Sequence, residues 1–226
     1  MEIKHLELGF VNAFLIKTPA GPFLVDCGMA FSRAKLEQQL SMYGIAPADI
    51  KLLIVTHADI DHIGNCAYLQ KQHGVKIAVH QGDADMCRTG KTDMDRQRKA
   101  SWLSKLMRPL VVALLYKPMM KKFPLEPFEP DIILDDGHNF TDIGLDAVAI
   151  HIPGHTMGSI GLYTTDDDFF SGDTLLNHKK PTTAHIIQNQ TALDASLQII
   201  KDLHIKKVYP GHGQPFRMED AELWGD

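Results

Sequence analysis

Two tryptophans, three cysteines and no long apolar run set the first limits on this 226-residue chain. Cys27, Cys66 and Cys87 are odd in number, irregularly spaced and never in a CxxC pair. That argues against a disulfide framework and for a reducing compartment. No apolar stretch nears the ~20 residues that a membrane-spanning helix needs. The first residues, MEIKHLELGF, lack the basic start and continuous apolar centre of an export signal, so a cytoplasmic protein is expected. What remains is ordinary globular composition, 44% hydrophobic and 23% charged, at a length suited to one sizeable core.

Positive charge is scarce overall, with a net charge of −5, yet it is concentrated. Ten Lys/Arg against two Asp fall between Arg88 and Lys122. Residues 82–130 also lack strand patterning and hold Pro109, Pro118, Pro124, Pro127 and Pro130. They are expected to form a helical, basic lid inserted into a single domain spanning 1–226. Within it Trp102 lies on an apolar helical stripe, with Lys105 and Arg108 opposite. Three uses are open: a cover over the core with solvated charges, the rim of a pocket for an anionic or amphiphilic small molecule, or contact with a membrane surface. No nucleic-acid partner is expected, because the charges alternate poorly with aromatics and the chain is acidic. The oligomeric state is not legible.

Outside that segment, short runs rich in β-formers alternate with fewer helices. IKHLEL, NAFLIKT, FLVDCG, IKLLIV, KIAVH, DIIL, LDAVAIH, SIGLYTT, DFFSGD and KKVYPGHG read as strands. Helices are expected from Ser32 to about Tyr43, in GNCAYLQKQHG and in ALDASLQIIKDLH. Strands in runs, interrupted by helices, suggest two sheets packed face to face with helices outside, an α/β (α+β) arrangement.

Chemistry concentrates where these strands end. After LLIV comes His57-Ala-Asp59-Ile-Asp61-His62; later strands deliver Pro153-Gly154-His155, Gly172-Asp173 and Pro210-Gly211-His212. Asp26 ends an earlier strand. Imidazoles and carboxylates suit zinc, iron, manganese or cobalt. Seven such residues exceed one tetrahedral shell, so two metals sharing a ligand is the natural reading. His178 follows the Asp173 motif closely enough to skirt such a site and touch substrate.

These motifs, in this order, resemble the metallo-β-lactamase fold superfamily, whose signature is HxHxDH followed by a His, a bridging Asp and a last His. The resemblance implies a four-layer αββα sandwich of two mixed sheets with a dinuclear site at one edge. It implies that His57, Asp59 and His155 serve one metal, that Asp61, His62 and His212 serve the other, and that Asp173 bridges them. Asp26 would support a ligand from behind rather than bind metal. The departure is Asp59, where the family usually has histidine. An aspartate is shorter, so it either ligates directly after the loop moves inward, acts through water, or leaves the first site weak.

The function implied is that of a lactonase-like or glyoxalase II-like hydrolase. Two divalent metals, zinc first, with iron or manganese admitted by Asp59, would generate a hydroxide that Asp61 orients toward an ester, thioester or lactone carbonyl. Two alternatives remain open: a non-haem iron redox enzyme on the same fold, and a metal-binding sensor without turnover.

Overall fold

The computed structural model describes residues 1–91, 96–98, 117–122 and 124–223. Side-chain alternation in the strands dictates its layering. In β2 (Asn12–Thr18), Ala13 and Leu15 point to one side while Phe14 and Ile16 point to the other. The first sheet runs β1 (Glu2–Glu7), β2, β3 (Gly21–Val25), β4 (Leu52–Ile54), β5 (Ile77–His80) and β7 (Ile132–Leu134). Its first three strands are antiparallel, whereas β3, β4, β5 and β7 are parallel neighbours.

The second sheet has the order β15 (Phe216–Arg217), β14 (Lys207–Pro210), β10 (Asp168–Gly172), β9 (Ile160–Thr164) and β8 (Ala147–His151). It too is mixed, with β10 and β14 parallel and the other pairs antiparallel. Between the sheets lie Phe14, Ile16, Phe23, Ile54, Ala149, Leu162, Phe170 and Tyr209. On the outer face of the first sheet, Leu15, Leu24, Leu53 and Val79 meet Leu36 and Leu40 of α1 (Arg33–Met42) and Leu69 of α3 (Cys66–His73). On the outer face of the second, Phe169 and Val208 meet Ile200 of the helix Gln190–Asp202. The order is helix, sheet, sheet, helix, as the sequence pattern implies, and every strand named there is present.

The segment 82–130 divides. Its first residues belong to α4 (Gln81–Thr89), which buries Asp83, Ala84 and Cys87, the last of them in the core outside the first sheet. Gly82 packs so closely on Met157 and Gly158 that a Cβ would overlap them. At the other end Leu125 and Phe128 return to the same core. Trp102, Lys105 and Arg108 lie outside the described residues, as does most of the expected lid. Two strand pairs complete the framework: β11 (Leu175–Asn177) with β12 (Pro181–Thr183), and β6 (Gln97–Arg98) with β13 (Ile186–Ile187). Among the described residues no helix is long and apolar enough to cross a membrane.

Candidate metal centre

Four strands end at one rim of the sandwich and hand their loops to one cluster. Thr56 and His57 leave β4, and Asp59 starts the single helical turn α2 (Ile60–Ile63), which carries Asp61 and His62. His155 follows β8, Asp173 follows β10 and His212 follows β14. All seven predicted ligands come together, and their donor atoms form three interlocking groups: His57, Asp59 and His155; Asp61, His62 and His212; His57, His62 and Asp173.

Each imidazole is fixed from behind through Nδ1. His155 Nδ1 donates to the Ile186 carbonyl at 2.7 Å, and His212 Nδ1 to the Phe10 carbonyl at 2.6 Å. His62 Nδ1 donates to Asp26 Oδ2 at 2.8 Å. Thr56 gives its hydroxyl proton to that same Oδ2, so the His57 Nδ1–H donates to Thr56 Oγ1 at 3.0 Å. With four Nδ1 atoms committed, four Nε2 lone pairs face the cluster. Asp26 thus takes the supporting place expected of it, and the Thr56 amide also donates to its Oδ1. Its backbone sits at φ 56°, a left-handed conformation that these hydrogen bonds hold in place.

The donor set fits divalent cations. His57 Nε2, His62 Nε2 and Asp173 Oδ1 are buried without a hydrogen-bond partner among the described residues. Such orphans are costly unless something else satisfies them. Bonds of about 2.0–2.1 Å to a tetrahedral zinc place ligand atoms roughly 3.4 Å apart. Here His57 Nε2 is 3.6 Å and His155 Nε2 3.0 Å from Asp59 Oδ2. His212 Nε2 lies 3.3 Å from both Asp61 Oδ2 and Asp173 Oδ2, and His62 Nε2 is 3.4 Å from Asp173 Oδ1. Asp173 touches both histidine groups through its two oxygens, the position of a bridge.

Electrostatics agree. Burial opposes ionisation of Asp59, but the adjacent His155 and His57 outweigh it and hold the carboxyl well below the usual range. Burial likewise opposes charge on Asp173, and His212 and His62 reverse that. His62 is driven well above its ordinary value despite burial, by Asp26, Asp173 and Asp61. His212 rises to about 10, against burial, because of Asp173 and Asp61. His57 goes down, through burial and the neighbouring His62. The carboxylates together demand positive charge at the centre of the cluster.

The loops that present these groups are held by residues the sequence did not flag. Asp83, buried on α4, accepts from the Ala58 amide, the Thr156 hydroxyl and the Gly158 amide, each at 2.8 Å. It ties the His57 loop to the His155 loop. Asn12 donates to the carbonyls of Pro210 at 2.9 Å and Gly213 at 2.6 Å, anchoring the His212 turn. Gly211 must be glycine, since a Cβ there would overlap Asp173 Oδ1 and lie 2.6 Å from His62 Cε1. Arg96, also unforeseen, forms an ion pair with Asp59.

Above the cluster opens a cavity of about 260 Å³ lined by Phe10, Leu176, Ile186, His178 and His185, with Asp61 on its floor. His178 stands where the sequence placed it, beside the site, its ring 5.6 Å from that of His212. Burial and the neighbouring His212 lower its pKa.

The pattern of the metallo-beta-lactamase superfamily matches residues 6–212. The chain belongs to the metallo-β-lactamase superfamily. Among curated proteins it is similar to the acyl-coenzyme A thioesterase MBLAC2 of Gallus gallus, 25% identical over 225 residues, covering 93% of this chain and 74% of that protein. Its fold is that of a metallo-beta-lactamase family protein from Thermus thermophilus, with a TM-score of 0.71 at 22% identity over 95% of this chain and 74% of the other. A class B3 di-zinc metallo-beta-lactamase from an Alaskan soil metagenome superposes with a TM-score of 0.64 at 22% identity, covering 89% and 72% of the two chains.

Proposed function

We propose that this metallo-β-lactamase-fold hydrolase cleaves an acyl thioester, with two divalent metals, zinc first, as its cofactors. The observation that carries the reading is the convergence of four Nε2 atoms and three carboxylates beneath a cavity that Phe10, Leu176 and Ile186 line together with His178 and His185. His57, Asp59 and His155 would hold one cation, Asp61, His62 and His212 the other, and Asp173 both. Bound there, the cations supply Lewis acidity toward a carbonyl oxygen and acidify water.

The chain's own groups do the rest. Asp61 is the most exposed of the carboxylates, with its side chain 20% exposed, and it faces the cavity. It accepts a hydrogen bond from the attacking water and fixes its approach. Water oxygen bonds to the acyl carbon, the carbon–sulfur bond breaks, and the water's protons end on the departing thiolate and in solvent. Phe10, Leu176 and Ile186 offer apolar surface to the acyl group and exclude water from it. A cavity of about 260 Å³ takes the acyl end of a substrate rather than a whole conjugate, which leaves the thiol portion outside. Similarity to acyl-coenzyme A thioesterases supports the thioester over the ester or lactone.

The test is a panel of acyl-coenzyme A thioesters from acetyl to palmitoyl, with matched oxygen esters and lactones, assayed with zinc-loaded enzyme and its Asp61→Ala variant. Thioester turnover that falls at least about a hundredfold in the variant supports the reading. Lactone turnover without thioester turnover replaces the substrate class, and turnover equal in both proteins removes Asp61 from its role.

A further inference from the structure

Asp59 stands where the superfamily usually has a histidine, and the structure shows what accompanies it. Its two oxygens point to different partners. Oδ1 pairs with the guanidinium of Arg96, while Oδ2 faces His57 Nε2 at 3.6 Å and His155 Nε2 at 3.0 Å. The pair is buried, with side chains 6% exposed for Arg96 and 11% for Asp59. Arg96 also donates through its other terminal nitrogen to the His155 carbonyl at 3.2 Å, and that nitrogen lies 3.4 Å from His155 Nε2.

Arg96 is delivered by the strand pair that fixes His155. It immediately precedes β6, which pairs with β13 through Ile186↔Arg98 and Ile187↔Gln97, and the Ile186 carbonyl is the acceptor for His155 Nδ1. Since His155 donates through Nδ1, its Nε2 offers a lone pair, 3.0 Å from a carboxylate oxygen. Two lone pairs at that separation repel unless a proton or a metal cation lies between them.

We propose that Arg96 is a positioning residue that turns Asp59 into a substitute for the missing histidine and so completes the first metal site. The guanidinium fork holds one carboxylate oxygen and aims the other at the site, which compensates for the shorter side chain. It also cancels the carboxylate's charge. Two imidazoles plus a carboxylate paired with a guanidinium carry the same net charge as three neutral imidazoles. The charge argument for iron over zinc is correspondingly weakened. This inference rests on the metal-site reading but not on the thioester assignment.

The experiment uses full-length wild type, Arg96→Met, Asp59→His and the double variant, with zinc as the probe. Zinc equivalents retained after dialysis, zinc affinity by chelator competition, and the visible spectrum of the cobalt-substituted proteins are read. Wild type should hold two zinc ions. Arg96→Met should weaken one site by about 10- to 100-fold, the range seen when a supporting partner of a ligand is lost. The other site keeps its affinity and reports that the protein is folded. In the Asp59→His background the dependence should vanish, with Arg96→Met restoring both sites to within about threefold of wild type. Tighter zinc in Arg96→Met would show instead that the guanidinium occupies the first site, and would overturn the proposal. So would unchanged affinity, a wild type holding one zinc, or a double variant no better than Arg96→Met. A wild type that binds no zinc at all would remove the metal reading itself.

Discussion

Asp26 Oδ2 accepts hydrogen bonds from both His62 Nδ1, at 2.8 Å, and Thr56 Oγ1, at 2.7 Å, and through Thr56 it reaches His57. One buried carboxylate thereby orients a histidine in each half of the metal centre. Asp26→Ala should lower zinc affinity by about 10- to 100-fold, measured by chelator competition. Asp26→Asn should do less damage, since an amide oxygen still accepts one bond and asparagine tolerates φ 56°. Affinity unchanged in Asp26→Ala would show that the histidines need no such support.

Asp173→Ala removes the one carboxylate whose two oxygens face both histidine groups. It should abolish most metal binding and hydrolysis together, read by elemental analysis and turnover on the same preparation. A variant that keeps both would refute the bridge.

Asp83 has a different consequence, because it touches no metal-facing atom. Asp83→Ala leaves two buried amides and a hydroxyl without their acceptor, each costing about 1–3 kcal/mol. Stability by urea unfolding should fall by roughly 3 kcal/mol or more. A loss below about 1 kcal/mol would mean that the loops find other partners.

The thiols should be silent. Cys27, Cys66 and Cys87 are each fully buried, burial pushes the Cys87 thiol up to about 12, and Cys66 is raised well above the ordinary thiol value. At pH 8 the Cys87 thiolate is then about one part in ten thousand. A chromogenic disulfide reagent should titrate none of the three in the native protein and all three in denaturant. Rapid native labelling would contradict their placement.

Phe10 separates substrate contact from metal support, since its carbonyl anchors His212 while its exposed ring lines the cavity and stacks parallel to that imidazole. Phe10→Ala keeps the carbonyl. The KM for long acyl thioesters should rise about tenfold, equivalent to roughly 1.4 kcal/mol of apolar contact, with zinc content unchanged. Loss of zinc in this variant would place the ring in the metal centre instead.

Strands and ligands were legible for one reason: both obey short-range rules. Phe14 and Ile16 alternate with Ala13 and Leu15 in an unbroken apolar run that reads as a strand buried on both faces, and each ligand lies in a segment that directly follows a strand. Asp83 was hidden because its partners lie 25, 73 and 75 residues away, and nothing local marks a helical aspartate as an anchor. Arg96 was hidden for the same reason, lying 37 residues from Asp59 within a run of basic residues that read as lid. Gly82 was hidden in the same way, since no local pattern shows that its missing side chain lets α4 pack against Met157 and Gly158.

The most direct test of the central claim is the number of zinc ions held per chain, by elemental analysis of protein purified without chelators or metal resins and dialysed after zinc loading. The geometry around Asp173 and the Asp59–Arg96 pair predicts two. One ion would contradict the dinuclear site and the mechanism built on it, and none would contradict the metal centre altogether.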